Sequence, residues 1–250
     1  MQVKKPKNMQ WRDEGIIVNI RQHGENHAIV ELFTHRYGRW PGMLHGAASR
    51  ARRAWLQPGN IVHAAWRART AEQLGTWALE PLAQHAAVAL GGRVALAVVQ
   101  ALQAELALCP ERAPHPPLFD GAKLVLEHLG DSLTAAALLA RFELALLEQL
   151  GYGLDLDRCA LTGRREDLAW VSPKSGRAAS REAGAAWADR LLPLPAFLLD
   201  ANRQPSAREV AEALRLTAHF LEKRLFTSPE GALPVLRQRL PQMLLGKTEG

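Results

Sequence analysis

Cysteine is nearly absent: the 250 residues contain Cys109 and Cys159 and no others. Two cysteines are too few for a disulfide framework, and a reducing compartment keeps both as thiols. Tyrosine is as rare, at two, and aromatic residues make up 6% of the chain. Isoleucine and phenylalanine are scarce beside alanine and leucine, which favours helix over sheet for most of the length. No uninterrupted apolar run is long enough to span a bilayer. The longest, from Ala86 to Leu108, contains Gly91, Gly92, Arg93, Gln100, Gln103 and Glu105 and reads as one buried helix. Lys4, Lys5 and Lys7 are followed by no apolar segment, so no secretory signal is expected and the expected location is cytoplasmic.

The common catalytic signatures are missing as well. The Gly246-Lys247 pair has no glycine five positions before it, so there is no phosphate-binding loop, and neither a Gly-x-Ser-x-Gly elbow nor a His-Glu-x-x-His helix occurs. His23, His27 and His35 lie close in sequence, but no cysteine or paired carboxylate stands at ligand spacing, so turn and surface positions are expected rather than a metal site. Asp155 and Asp157, two apart, suit a Mg²⁺-dependent nuclease in principle. Following Gly151-Tyr152-Gly153, they read more simply as caps of the next turn.

What the sequence does have is a lopsided charge. The formal net charge is +6, and residues 1–80 hold twelve Lys and Arg against six Asp and Glu, whereas the remainder holds nineteen of each. The whole excess sits in the first third, on Lys4, Lys5, Lys7, Arg12, Arg21, Arg36, Arg39, Arg50, Arg52, Arg53, Arg67 and Arg69. Beyond Lys7 these are all arginines, whose planar fork suits phosphate oxygens and base stacking. The alternative is a solvated charge run serving solubility alone.

At 250 residues there is room for two packed domains, each typically about 100–200 residues. Gly15 to Glu80 reads as five short strands: one with Ile16, Val18 and Ile20 alternating, one with Ala28, Val30 and Leu32, then Arg39 to Gly46, Ile61 to Trp66 and Thr76 to Leu79. A loop from Ser49 to Asn60 carries Arg50, Arg52, Arg53 and Trp55. Five strands in about 65 residues suit an OB-fold barrel, which binds single strands across one face and its loops. Of the tryptophans, Trp40 is a stacking candidate, Trp66 and Trp77 are expected in the barrel core, and Trp55 is placed to stack on a base. Beyond Pro81 come helices over Ala86–Leu108, Leu118–Leu129 and Thr134–Leu150, an irregular stretch from Leu154 to Leu199, and a helix opened by Ser206 and Glu209 at capping-box spacing. The expected class is therefore α+β: a five-stranded OB-fold barrel for nucleic acid over residues 1–80, a helical domain over 81–153, an irregular insertion with some β structure over 154–200, and C-terminal helices over 201–250 packing on the helical domain.

Two stretches together resemble RecO, the bacterial recombination-mediator family. The first runs Glu14-Gly15-Ile16-Ile17-Val18, Gly24-Glu25, Leu32-Phe33-Thr34, Tyr37-Gly38-Arg39, Gly46-Ala47 and Leu56-Gln57-Pro58-Gly59. The second, more specific, is Arg141-Phe142-Glu143-Leu144-Ala145-Leu146-Leu147 with Leu150-Gly151-Tyr152-Gly153, Leu156, Cys159 and Thr162-Gly163. The resemblance implies a DNA repair protein that binds single- and double-stranded DNA, anneals complementary strands, and works at the nucleoid without enzymatic turnover or cofactor. It implies RecR and single-stranded DNA-binding protein as partners, with RecF a further candidate, in helping RecA load on DNA. In such proteins the helical domain receives the acidic, apolar tail of single-stranded DNA-binding protein, for which Lys123 and Arg141 are the candidates here. Some relatives carry zinc on two Cys-x-x-Cys pairs, but here the first reads Cys159-Ala160-Leu161-Thr162 and the second falls near Ser180-Arg181-Glu182-Ala183, so no structural zinc is expected. An OB-fold RNA-binding accessory protein remains the rival among binders, and the Asp155–Asp157 nuclease the rival among enzymes.

Overall fold

The computed structural model describes residues 9–70, 72–227 and 231–246. Strand β1 (Met9–His23) is long enough to serve two partners: its first half pairs with β4 (Ile61–Ala68) and its second with β2 (His27–Thr34). Strand β3 (Gly38–His45) returns against β2, helix α1 (Arg50–Trp55) leads into β4, and β5 (Thr76–Ala83) pairs with β4. A parallel contact of β3 with β5 at Met43 and Thr76 closes the ring in the order β1-β2-β3-β5-β4. The expected α+β class with an OB-like ring at its front is thus observed.

Three local expectations change. The alternation of Ile16, Val18 and Ile20 breaks at a register shift between Ile17 and Asn19, so Ile16 and Val18 face the helices while Ile17 and Ile20 face the ring interior. The arginine-rich loop contains a helix, because Ser49 caps it by accepting from the Arg52 N–H and the basic residues Arg52 and Arg53 lie in its last turn, where the dipole favours them. The single helix expected over Ala86–Leu108 is two, α2 (Ala86–Leu90) and α3 (Arg93–Leu106). Gly91 and Gly92 separate them, and Gly92 is extended at φ −156°.

Inside the ring Val30, Leu32, Leu44, Val62, Trp66 and Trp77 are buried. Trp77 lies so close to Gly42 that a Cβ there would stand 2.5 Å from the indole nitrogen, which itself donates to the Val30 carbonyl at 3.0 Å. Trp66 donates to the Leu74 carbonyl at 3.1 Å. The outer face of β1 and β2, with the first residue of β4, contributes Ile16, Val18, Phe33 and Ile61 to the helical core, so the ring wall separates its own interior from a second core shared with the helices.

Helix α4 (Pro116–Glu127) starts on two prolines, which the first turn tolerates, and α5 (Ser132–Gln149) is capped by the Asp131 carboxylate, which accepts from the Leu133 and Thr134 N–H groups. A three-stranded sheet follows, from β6 (Leu168–Val171), β7 (Ala178–Ser180) and β8 (Leu192–Pro193) in the order β7-β6-β8, with the short helix α6 (Arg181–Gly184) between β7 and β8. Helix α7 (Ala207–Arg224) opens on a complete Ser206–Glu209 capping box, and α8 (Val235–Leu244) packs against α3 and α7. Among the described residues no helix is long and apolar enough to cross a membrane.

One polar cluster sits inside this apolar body. Arg237 of α8 is fully buried and grips Glu143 of α5 with two bonds, Nε to Oε1 at 2.5 Å and Nη2 to Oε2 at 2.7 Å. It donates further to the Leu214 carbonyl, and Thr217 of α7 donates to Glu143. Glu105 of α3 is also fully buried, and burial together with the neighbouring Glu143 charge pushes its carboxyl well above the usual carboxylate range. In the unfolded chain Glu105 loses its proton above about pH 4.5, while the folded state keeps it, so this residue lowers stability as pH rises. Glu105→Gln should therefore gain on the wild type by up to about 1.4 kcal/mol per pH unit above that point, until the folded carboxyl itself ionises. Glu143→Gln should lose about 3–5 kcal/mol, because it strands a buried guanidinium. Urea unfolding of both variants between pH ~5 and ~8 checks the pair; a Glu105→Gln difference independent of pH would contradict the first expectation.

Candidate nucleic-acid interface

The register of β1, β4 and β5 decides which basic residues meet. Trp11 stands opposite Trp66, and Trp66 opposite Trp77, all facing the ring interior. Their neighbours therefore face outward: Gln10 beside Arg67, Arg12 beside Ala65, and Ala65 beside Ala78. The two alanines leave a shallow floor, and Arg12 and Arg67 flank a hollow of about 460 Å³ upon it. A second hollow of about 560 Å³ adjoins, where Arg12 and Arg36 are joined on the rim by the carboxylates of Asp13, Glu14 and Glu80. The β1–β4–β5 face thus brings together two arginines that are far apart in sequence, Arg12 and Arg67.

The remaining candidates fall elsewhere. Arg36 is held by Asp13, whose carboxylate accepts from its backbone N–H at 2.7 Å and its Nε at 3.3 Å. Arg39 is withdrawn into the seam with the helices, where it pairs with Glu31 and donates to the Cys109 carbonyl at 2.7 Å. Arg52 donates to the His45 carbonyl, and Arg50 and Arg53 are exposed on α1. Helix α1 precedes β4 and Arg67 lies near its far end, six residues and about 20 Å along the strand. Arg21 projects from the other half of β1, opposite Ile29 on β2, and Arg69 follows the end of β4. Among the described residues Arg12, Arg21, Arg50, Arg53, Arg67 and Arg69 pair with no carboxylate. Lys4, Lys5 and Lys7 lie outside the described residues.

Trp66 and Trp77 are core, and Trp55 is half-buried against that core. The aromatic residue that sequence reasoning passed over is Trp11, because the strand was taken to begin at Gly15. Its ring stacks on Tyr37 with centroids 4.1 Å apart and on Trp66 at 5.8 Å. Arg112 was passed over too: its guanidinium sits 4.8 Å above the Trp40 ring. The period-two pattern of Trp11, Asp13 and Gly15 against Gln10, Arg12 and Glu14 was the available signal.

The two carboxylates and the histidines weighed as possible metal ligands are not brought together. Asp155 faces Arg177 at 3.5 Å and Asp157 faces Arg165 at 3.0 Å, so neither carboxylate is turned to a shared ion. His27 contacts His45, with 3.2 Å between Nδ1 atoms, whereas His35 lies 3.6 Å from Asp120. Among the described residues no three His, Cys, Asp or Glu side chains are placed to hold a metal. The zinc position of some relatives does not suit the metal here: one thiol stands at Cys159, and the surrounding groups are hydrogen-bond donors. Burial opposes a charge on Cys159, but the Thr162 hydroxyl and the N–H groups of Ser180, Thr162 and Leu161 outweigh it and bring the thiol down to about 6.

On the helical side, Lys123 donates to Glu14 at 3.0 Å and ties α4 to β1. Arg141 instead borders a hollow of about 430 Å³ beside Leu133, Leu138, Phe197 and Arg203. Its Nη2 donates to the Phe197 carbonyl at 2.7 Å and to that of Asp200 at 3.1 Å. Lys123 does not line this hollow.

An OB-like ring with an arginine-bearing outer face, fused to a charge-balanced helical body, defines a class of nucleic-acid-associated proteins. Residues 9–83 match the family described as Recombination protein O N terminal, and residues 94–233 match Recombination protein O C terminal. The chain is 48% identical over 243 residues to the DNA repair protein RecO of Chelativorans sp. (strain BNC1), covering 94% of this chain and 98% of that one. It is 47% identical over 232 residues to the DNA repair protein RecO of Methylocella silvestris, covering 92% and 94%, and 48% identical over 224 residues to that of Rhizobium etli, covering 89% and 87%. The chain belongs to the RecO family of DNA repair proteins.

The two cysteines should be distinguishable by titration. Burial, above all, pushes the Cys109 thiol up to about 12, so thiolate absorbance at 240 nm should show one step near pH 6 from Cys159 and none from Cys109 near the ordinary thiol value of about 8.5. Cys159→Ser should remove the early step. Because the folded value is lowered, Cys159 stabilises the fold above the ordinary thiol range, and that contribution is lost as pH falls through about 6.

Proposed function

We propose that this chain is a recombination mediator without catalytic turnover. It binds single- and double-stranded DNA on the ring, anneals complementary strands, and acts with RecR to help RecA load on DNA coated by single-stranded DNA-binding protein. The observation that carries the reading is the pair Arg12 and Arg67 on an alanine floor, in a chain whose excess positive charge lies wholly in its first third. Arginines spaced along a shallow strand face meet phosphates with little base preference, and neutralising both backbones lowers the repulsion that keeps two strands apart. The printed names of the relatives support a DNA repair role. The arginines of α1, together with Trp55, Arg21 and Arg69, extend the proposed contact beyond that face.

The helical body has no net charge and suits protein partners. The hollow beside Arg141 combines the apolar side chains of Leu133, Leu138 and Phe197 with the Arg141 guanidinium, while Arg203 at its edge is paired with Glu209; an apolar tail with an acidic group near Arg141 fits it. Lys123, committed to Glu14, contributes to that partner only if the seam opens. RecF remains a further proposed partner.

The direct test is annealing of complementary oligonucleotides, bare and coated with single-stranded DNA-binding protein. The wild type should accelerate both, and the Arg12→Ala/Arg67→Ala double variant should bind DNA more weakly with a log–log salt slope smaller by about 1.5–2. Unchanged affinity and slope would remove this face from the reading, and preference for structured RNA over single-stranded DNA would favour an RNA-binding role. For the partner site, Arg141→Gln should weaken binding of the tail peptide about 10- to 150-fold, roughly one charge-assisted hydrogen bond. Equal binding by a folded Arg141→Gln chain would sink that assignment.

A further inference from the structure

We propose that the outer end of the Trp66–Trp11–Tyr37 column is a stacking site for one unpaired nucleobase; the inference rests on the reading that the ring binds DNA. Trp66 is 1% exposed, Trp11 lies offset-parallel on it at 5.8 Å and 24°, and Tyr37 lies on Trp11 at 4.1 Å and 18°. The planes form a column that starts in the core and ends at the tip of the turn between β2 and β3, where Tyr37 is half-buried. What continues a column of parallel rings is another flat ring, and a nucleobase presents a π-face whatever its identity.

The platform is preset. Gly38, next to Tyr37, has a φ of +71° and approaches the loop between α3 and α4 so closely that a Cβ would stand 2.0 Å from the Ala113 carbonyl oxygen. The Arg112 N–H donates to the Arg39 carbonyl at 2.9 Å and pins the same turn. Little conformational freedom is left for binding to remove. Cations lie over two of these rings: the Arg36 guanidinium stands 5.9 Å over the centre of Tyr37, where an incoming base must share the ring with it or displace it, and that of Arg112 stands 4.8 Å over Trp40, which meets Tyr37 edge-on. Arg112 holds its place with a φ of +61°, which costs an L-residue about 1–2 kcal/mol. The Nε1 groups of Trp11 and Trp40 have no acceptor among the described residues, unlike those of Trp66 and Trp77. A strained backbone and two buried unmet donors beneath the column, with Arg12 and Arg67 on the adjoining face for phosphates, are the pattern of a site built for a ligand and not for packing alone.

In a duplex the bases are paired and stacked on each other, so the site engages single strands. One stacked base is worth about 1–3 kcal/mol, or roughly 5- to 150-fold in affinity. The test compares three probes of equal length on the full chain: oligothymidine, an abasic oligonucleotide, and a duplex. Wild type should prefer oligothymidine over the abasic probe at least about fivefold. Tyr37→Leu should abolish that preference while leaving abasic and duplex affinities unchanged, and Tyr37→Phe, which keeps the ring, should retain it. A wild type that does not distinguish the two single strands, or a Tyr37→Leu chain that still does, overturns the stacking site while leaving DNA binding intact. Failure of all three probes to bind overturns the underlying reading and the site with it.

Discussion

Arg237 places a full positive charge at the meeting point of α3, α5, α7 and α8, where no water is available to solvate it, and the helical body is arranged around keeping that charge paired. The bidentate grip on Glu143 fixes not only distance but rotation, since the single Nε–Nη2 edge of the guanidinium must meet both carboxylate oxygens. Helix α8 needs this constraint. It has ten residues with Pro241 among them, too short and too poor a helix former to persist alone in water. Its docking is therefore decided by the pair and by Leu240 and Leu233 in the shared core. A leucine at position 237 would pack without specifying a register, whereas an arginine that must find Glu143 admits one. Glu105, held toward its neutral acid form beside them, leaves the cluster close to charge balance instead of adding a second buried anion.

That rigid body in turn holds the ring. Ile16, Val18, Phe33 and Ile61 give one side of the ring to the helical core, and the seam is laced by polar contacts: Lys123 to Glu14, Gln103 to the Val18 carbonyl, and Arg39 to the Cys109 carbonyl. The covered side is β1 with β2. The face of β1, β4 and β5 is left open by the same arrangement, which is why the arginines there meet solvent and those at the seam do not.

The sequence carried the architecture well because its signals are periodic. Alternation marked the strands, Gly151-Tyr152-Gly153 marked the end of a helix, and Ser206 with Glu209 marked a helix start that is present atom for atom, whereas the break at Gly91-Gly92 was hidden by the apolar run on both sides. It was weaker where tertiary contacts override local pattern. The shift between Ile17 and Asn19 inverts the faces of β1, and no composition rule reveals a bulge. The arginines of the first third look equivalent as a list of charges, yet Arg36 and Arg39 already meet carboxylates and Arg52 a carbonyl, partners fixed by strand register and domain docking. Trp11 and Arg112 were illegible for a related reason: each becomes an aromatic-mouth residue through contacts with positions far away in the chain, Tyr37 and Trp40 respectively.

The partition of arginines between seam and surface bears on the proposed annealing. A mediator that held a strand through every cation of its basic third would gain affinity and lose the ability to release, because each phosphate contact adds to binding and to its salt dependence. Assigning Arg39 to the seam and tethering Arg36 to Asp13 limits the ungripped cations on the open face to few, Arg12 and Arg67 foremost. A shallow alanine floor allows a backbone to lie down without enclosing its bases. In the proposed annealing, such binding would neutralise two strands while leaving their Watson–Crick edges free, and the base pairs formed between the strands would supply the free energy that drives the process forward.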